Sequence, residues 1–210
     1  LRLVADLSMQ EKQYAQSVEY YKKWMAFTCK EDADVYTRLA QAYYELKQLP
    51  NMVGPADKAI ALYAKPNKNP YVLKLQSFYE RKMYNETVAV AEELVRVFPE
   101  NKQWWSQLGF FYMLVEDYKK ALSTFEIAYN QGFLSKKSEI KALSQLYATN
   151  EIPYKAAVIQ EKYMKSGLLD KDDKSLANLA NSWHQARDYK KAAGYYAQAA
   201  QVRADPDYFR

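Results

Sequence analysis

The chain has 210 residues, 49% of them hydrophobic and 26% charged, with a formal charge of +5 and 5 glycines. That mixture suits helices joined by short turns and leaves no room for a disordered tail. No apolar run approaches the roughly 18 to 20 residues that span a bilayer; the longest, Gly109 to Val115, falls inside a predicted helix.

In chain order the apolar residues recur at helical spacing and in helix pairs. Leu1 to Ser8 and Tyr14 to Tyr21 read as a first hairpin, with Ser17 at a small position between its helices. Tyr36, Leu39, Ala40 and Tyr43 mark the next first helix, and Met52, Ala56 and Ala59 its partner. There Pro50 suits a first helical turn, whereas Pro55, after Gly54, should kink or delay the helix, so irregular geometry is expected. Val72, Leu75, Gln76 and Tyr79 follow, then Thr87, Ala91 and Leu94, with Pro99 beyond them.

The central pair is the clearest. Trp105, Leu108, Gly109 and Tyr112 share one helix face, and Ala121, Phe125 and Ala128 share another. Glu116-Asp117-Tyr118 reads as a tight turn, with Asp117 as N-cap of the second helix. Gly109 and Ala121 are small where the helices must approach closely, and the aromatic residues fill the space beside them. Ile140, Leu143, Ser144 and Tyr147, with Ala156 or Ala157, repeat the pattern, as do Leu176, Leu179, Ala180 and Trp183 with Ala192, Tyr196 and Ala199. The first anchors at 36, 72, 105, 140 and 176 are separated by 36, 33, 35 and 36 residues.

Little in the sequence points to catalysis. His184 is the one histidine, so no His pair or His-based metal site can be built, and its first-helix position suggests a polar contact. Cys29 is also alone and reads as an inert, half-buried thiol. The acidic groups Glu92-Glu93 and Asp170, Asp172, Asp173 lie on helix surfaces or linkers, and no Gly-rich phosphate loop is present. No catalytic, cofactor or metal site is expected. Twenty tyrosines in a basic chain could suggest nucleic acid. Tyr36, Tyr43, Tyr79, Tyr112, Tyr147 and Tyr196, however, stand at repeat positions that face a neighbouring helix, and the positive charge is scattered lysine pairs without an arginine stripe. No nucleic-acid partner is expected.

The pattern resembles the tetratricopeptide repeat (TPR), a 34-residue helix-turn-helix. The resemblance implies an all-α, right-handed superhelical solenoid of antiparallel helix pairs. About six repeats would fall near 1–31, 33–68, 69–101, 102–136, 137–172 and 173–206, as one domain over 1–210. It further implies a binding groove on the concave side, lined by residues flanking the first-helix anchors. Those are Thr37, Gln41 and Tyr44, then Leu73, Ser77 and Glu80, then Ser106, Phe110 and Met113. Lys141, Gln145 and Ala148 come next, and Ala177, Asn181 and His184 last. The expected partner-binding set is Tyr44, Phe110, Met113, Leu114, Lys141, Gln145, Asn181 and His184. Phe110, Met113 and Leu114 would form an apolar anchor, or would pack against adjacent helices or a further segment of a longer chain. The Lys/Asn/Arg set with which some TPR domains clamp a C-terminal carboxylate is replaced by Thr37, Gln41, Leu73, Ser77, Ser106 and Phe110.

A narrower resemblance rests on Tyr147 with Pro153 to Ala157, and on Trp183, Gln185, Ala186, Tyr189, Lys191 and Ala192. These segments look like the periplasmic TPR proteins encoded beside TonB, ExbB and ExbD in gammaproteobacteria. That implies a periplasmic, non-enzymatic scaffold serving TonB-dependent iron or haem uptake, with components of that complex as partners. The alternative is an assembly or regulatory TPR module of another envelope or cytoplasmic complex, or the non-catalytic part of a larger enzyme. Leu1 is not preceded by a capping helix, and Ala204 to Tyr208 resembles a linker into a further repeat, so a fragment of a longer chain is expected.

Overall fold

The computed structural model describes residues 1–204, and the linker expected at Ala204 to Tyr208 lies almost wholly outside them. Among the described residues the chain is all-α, with twelve helices in consecutive antiparallel pairs. It divides into two compact units, Leu1–Trp104 and the part from Trp105 onward. The first unit pairs α1 (Arg2–Gln10) with α2 (Tyr14–Thr28), α3 (Ala33–Glu45) with α4 (Val53–Leu62), and α5 (Lys68–Glu80) with α6 (Tyr84–Val97). In the second, α7 (Lys102–Leu114) meets α8 (Tyr118–Asn130), α9 (Lys137–Thr149) meets α10 (Pro153–Lys165), and α11 (Asp173–Gln185) meets α12 (Tyr189–Ala204).

Every hairpin turns in the same way. The second residue after each first helix is left-handed although none is glycine: Lys12, Lys47, Lys82, Glu116, Glu151 and Arg187, all with φ between 58° and 64°. Its amide donates three residues back and the next amide five residues back, as Lys47 to the Tyr44 carbonyl and Gln48 to the Tyr43 carbonyl, both at 2.9 Å. Those two bonds satisfy carbonyls that the helix end would leave bare. Asp117 then accepts from the Lys120 amide at 3.1 Å, the N-cap expected from the sequence. Asp188 does the same for Lys191. Pro50 lies in a short 3-10 turn (Leu49–Met52), and α4 begins only at Val53, so the helix is delayed rather than kinked. Pro55 sits in its first turn, where a missing N–H costs little.

The left-handed turns correct one register. The bond that ends α5 runs from the Met83 amide to the Phe78 carbonyl, equivalent to Asp117 to Tyr112 in the central pair. The anchors of α5 are therefore Tyr71, Lys74, Leu75 and Phe78, one residue earlier than Val72, Leu75, Gln76 and Tyr79. Tyr79 is accordingly 47% exposed, and Ser77, expected in the groove, is buried with its hydroxyl on the Leu49 carbonyl at 2.6 Å. Lys74 stands where other repeats carry leucine, its stem largely buried and its ammonium on Asp57 at 2.8 Å. First anchors at 36, 71, 105, 140 and 176 then differ by 35, 34, 35 and 36 residues, more even than the sequence reading.

Of the other tyrosines expected in the core, Tyr43, Tyr112 and Tyr147 are buried and Tyr36 is half-buried, but Tyr196 is 44% exposed. It lies on α12, the last helix described, whose outer face carries exposed Ala193, Gly194 and Ala197. Cys29 is exposed rather than half-buried, because it ends α2 in a left-handed conformation beyond the helix's packed face.

Between paired helices two contacts fall sixteen residues apart, Gly109 with Phe125 and Ser144 with Gln160, and the same count in the other pairs links Ala5 to Tyr21, Ala40 to Ala56, Leu75 to Ala91 and Ala180 to Tyr196. At Gly109 the contact is tight, since an added Cβ would stand 2.5 Å from the Phe125 ring, which is itself fully buried and edged by Phe110 at 5.1 Å. Gly194, also inside a helix, has nothing within 4 Å of that point. Gly109→Ala should therefore lower stability by about 1–3 kcal/mol through overpacking, partly offset by better helix propensity. Gly194→Ala should raise it by about 0.5–1 kcal/mol. Thermal unfolding of the two variants checks this: a Gly109→Ala transition at or above wild type would show that Phe125 yields freely.

Candidate functional site

The second unit carries a groove of about 720 Å³ formed by α9, α10 and α11. The repeat produces it: residues just off the buried anchors of α9 and α11 point the same way, and α10 passes beneath them. Lys141, Gln145 and Ala148 come from α9, and Asn178, Asn181 and Gln185 from α11. Three of the expected binding residues, Lys141, Gln145 and Asn181, thus share one cavity.

The other five stand elsewhere. His184 is exposed on α11 with its ring edge-on to Tyr189 at 5.3 Å. Phe110 and Leu114 are 38% and 45% exposed on α7, and Met113 is half-buried beside them. Tyr44 belongs to the first unit, with the Lys47 ammonium 5.0 Å from its ring centre; a hydrogen bond to Glu80 holds its hydroxyl above the ordinary value. None of these five lines the groove.

The groove floor was not anticipated. Gln160 occupies the site that Phe125 fills in the preceding hairpin, and its amide nitrogen donates to the Ser144 hydroxyl at 2.6 Å. Its amide oxygen accepts from the Ser182 hydroxyl at 3.1 Å. Ser144 and Ser182 are themselves buried. One residue from each of the three helices therefore forms a polar hub where the repeat normally packs apolar side chains. The signal was available, because counting sixteen residues on from Ser144 reaches Gln160 where the equivalent counts reach Tyr21, Ala56, Ala91, Phe125 and Tyr196, none of them a side-chain amide.

Polar anchors fix the helices that form the walls. Buried Glu139, in the first turn of α9, accepts from the Ser135 and Lys136 amides at 2.9 Å each and from the Ser106 hydroxyl on α7 at 2.8 Å. Burial works to raise its carboxyl, but those three donors and the nearby Lys136 charge outweigh it, and it is held below the usual carboxylate value. Asp172 caps α11 through the Ser175 amide at 2.7 Å. Two similar clusters tie α10 to its neighbours. Glu126 on α8 accepts from Tyr147 at 2.7 Å and from Lys155 at 3.1 Å. Glu161 on α10 accepts from the Tyr195 hydroxyl and lies 3.8 Å from Lys191. Burial and the Glu161 bond push Tyr195 up to about 12. At the rim, Lys137 grips Asp170 at 2.9 Å, and that bond and charge, with Lys141 adding to them, keep the Asp170 carboxyl low.

Among the described residues no group of three His, Cys, Asp or Glu side chains is placed to hold a metal, and no helix is long and apolar enough to cross a membrane. No protein-family model matches the sequence, and no curated protein matches it. Solved structures do. The C-terminal part of a TPR repeat-containing protein from Cytophaga hutchinsonii is 18% identical with a TM-score of 0.62, over 95% of this chain and 78% of that one. YrrB, described as a TPR protein with an unusual peptide-binding site, is 19% identical with a TM-score of 0.61, over 91% of this chain and 96% of its own. MamA from Desulfovibrio magneticus is 16% identical with a TM-score of 0.57, over 85% and 98%. At these identities the likeness establishes the fold: about six TPR-type helix pairs, an architecture generally used as a protein–protein interaction module.

The Glu139 anchor has a pH signature. Because its folded value is depressed, the stability it contributes is present above the ordinary carboxylate range and is lost as pH falls through the folded value. Glu139→Gln, which keeps the shape but weakens three bonds, should cost about 1–3 kcal/mol near neutrality. It should also flatten the fall in melting temperature between pH 5 and the acid limit of folding. An unchanged acid profile would show that Glu139 does not carry this titration.

Proposed function

We propose that the chain is a non-enzymatic interaction module that holds an extended segment of a partner protein in the groove between α9 and α11. One observation carries this reading. Gln145, Asn178, Asn181 and Gln185 line the groove, are exposed, and make no side-chain hydrogen bond to other described residues. Each side-chain amide offers a donor and an acceptor together, which is what a peptide group needs on each flank. A row of such amides recognises backbone in any sequence, while Lys141 and Lys174 supply modest attraction for acidic groups. The fold's likeness to a TPR protein with a peptide-binding site supports the same use. Phe110, Met113 and Leu114 provide a separate exposed apolar contact on α7, and Tyr44 and His184 polar ones.

For the system served, the reading is a periplasmic scaffold of a TonB/ExbB/ExbD-type uptake complex. It is supported by the resemblance of the Tyr147, Pro153-to-Ala157 and Trp183-to-Ala192 segments. Crosslinking pull-down from iron-starved cells tests system and surface together, comparing wild type with Gln145→Ala/Asn181→Ala and with Phe110→Asp/Met113→Asp. TonB-complex components should be recovered with wild type and reduced roughly tenfold by the first pair, as two lost polar contacts would require. Recovery unaffected by the first pair but abolished by the second would move the interface to α7. Recovery of unrelated proteins alone would end the TonB assignment.

A further inference from the structure

Resting on the groove reading, we infer that Gln160 selects the occupant: the bound segment presents a side-chain amide, Asn or Gln, to the floor of the groove. The floor's hydrogen-bond inventory leads there. Gln160 uses one N–H on Ser144 and one oxygen lone pair on Ser182, which leaves it one N–H and one lone pair. Ser144, having accepted from Gln160, retains its own hydroxyl proton, and its oxygen makes no other hydrogen bond among the described residues. Ser182 has its proton committed to the Gln160 oxygen and the Asn178 carbonyl, both at 3.1 Å. The floor therefore offers donors and an acceptor side by side on buried or half-buried atoms.

Three occupants can be compared. An apolar side chain would bury the free Gln160 N–H and oxygen and the Ser144 hydroxyl without partners, a cost that discriminates strongly. A carboxylate would satisfy the donors but face the Gln160 lone pair, and the rim does little for it, since Asp172 lines the same groove as Lys141 and Lys174, and Asp170 answers Lys141 from beside it. A side-chain amide meets all of them: its oxygen accepts from Gln160 or Ser144, and its nitrogen donates to the Gln160 oxygen. The pairing is reciprocal and uncharged. Gln160 is also particular to this pair, since the equivalent positions of the other hairpins carry Tyr21, Ala56, Ala91, Phe125 and Tyr196, none of them a side-chain amide.

Selection of random 12-residue peptides displayed on phage, with the full chain immobilised, tests this. Wild type should enrich peptides with Asn or Gln at one central position. For a selected peptide, changing that residue to Leu should weaken binding about tenfold, and changing it to Asp should weaken it by several-fold. Gln160→Leu should keep peptide binding but replace the central Asn or Gln preference with an apolar one, whereas Gln145→Ala/Asn181→Ala should weaken all selected peptides alike. Circular dichroism melting of each variant separates lost binding from lost fold. If Gln160→Leu does not fold, Gln160→Glu, which preserves size and hydrogen bonding to Ser182's neighbourhood, should shift the preference away from amides and towards cationic side chains. Enrichment of acidic or apolar centres by wild type, with binding still sensitive to Gln145 and Asn181, would overturn the role of Gln160 and keep the groove. Peptides indifferent to all of these substitutions would overturn the groove as well.

Discussion

The left-handed residue at each hairpin turn is the constraint on which the rest of the structure depends. It closes the first helix with two hydrogen bonds, and in five of the six pairs the second helix starts two residues later, the exception being α4 behind its 3-10 turn. That spacing sets residues sixteen apart against one another, as Gly109 with Phe125 and Ser144 with Gln160. Side chains of Lys, Glu and Arg accept the conformation six times over, at a cost of order 1 kcal/mol each, where glycine would relieve it. The exchange is understandable: glycine at these exposed turns would widen the unfolded ensemble, and the charged side chains project into solvent.

Once the facing pairs are fixed, their chemistry diversifies the hairpins. Gly109 with Phe125 converts a missing side chain into room for a ring, and the result is a dry, close contact. Ser144 with Gln160 spends the same place on a hydrogen bond. The first choice favours packing energy. The second gives up apolar burial and yields little net stability, since a neutral hydrogen bond is worth about 1 kcal/mol. A polar hub beneath an open groove is thus better accounted for by what it recognises than by what it stabilises. Glu139, Glu126 and Glu161 tie α9 and α10 to α7, α8 and α12 through bonds outside the hub.

Most of the architecture was legible because the repeat shows its spacing in large and small residues alike. Trp105 to Ala128 displays both helix faces, the turn and the N-cap, and the copies at Ile140 and Leu176 follow. The sequence misled where a charged residue took an apolar place. Lys74 breaks the anchor pattern of α5, and the neighbouring Val72, Leu75, Gln76 and Tyr79 imitate it one residue later. Only the backbone bond from Met83 to Phe78 decides between them. Tyr196 misled differently: its place in the repeat is a core place only when a neighbour covers it, and coverage is a tertiary fact that spacing does not encode. The groove was half legible. Lys141, Gln145 and Asn181 were placed by the resemblance to the TPR family, but Gln160 lies on the other helix and is noticed only when the sixteen-residue pairing is known.

The missing carboxylate clamp and the amide-lined groove are two sides of one argument. Recognition of a chain terminus needs converging cations, because a carboxylate pays heavily for leaving water and must be compensated by charge. A groove lined with Gln145, Asn178, Asn181 and Gln185 over a Gln160 floor has donors and acceptors in near balance and little net charge to offer. Such a surface compensates a peptide group, which is neutral and carries one donor and one acceptor, far better than it compensates an ion. An internal segment of a partner, lying extended so that its backbone is reachable from both walls, fits that inventory; a charged terminus does not. On the proposed reading, the choice of glutamine and asparagine over lysine and arginine therefore favours an internal segment over a terminus.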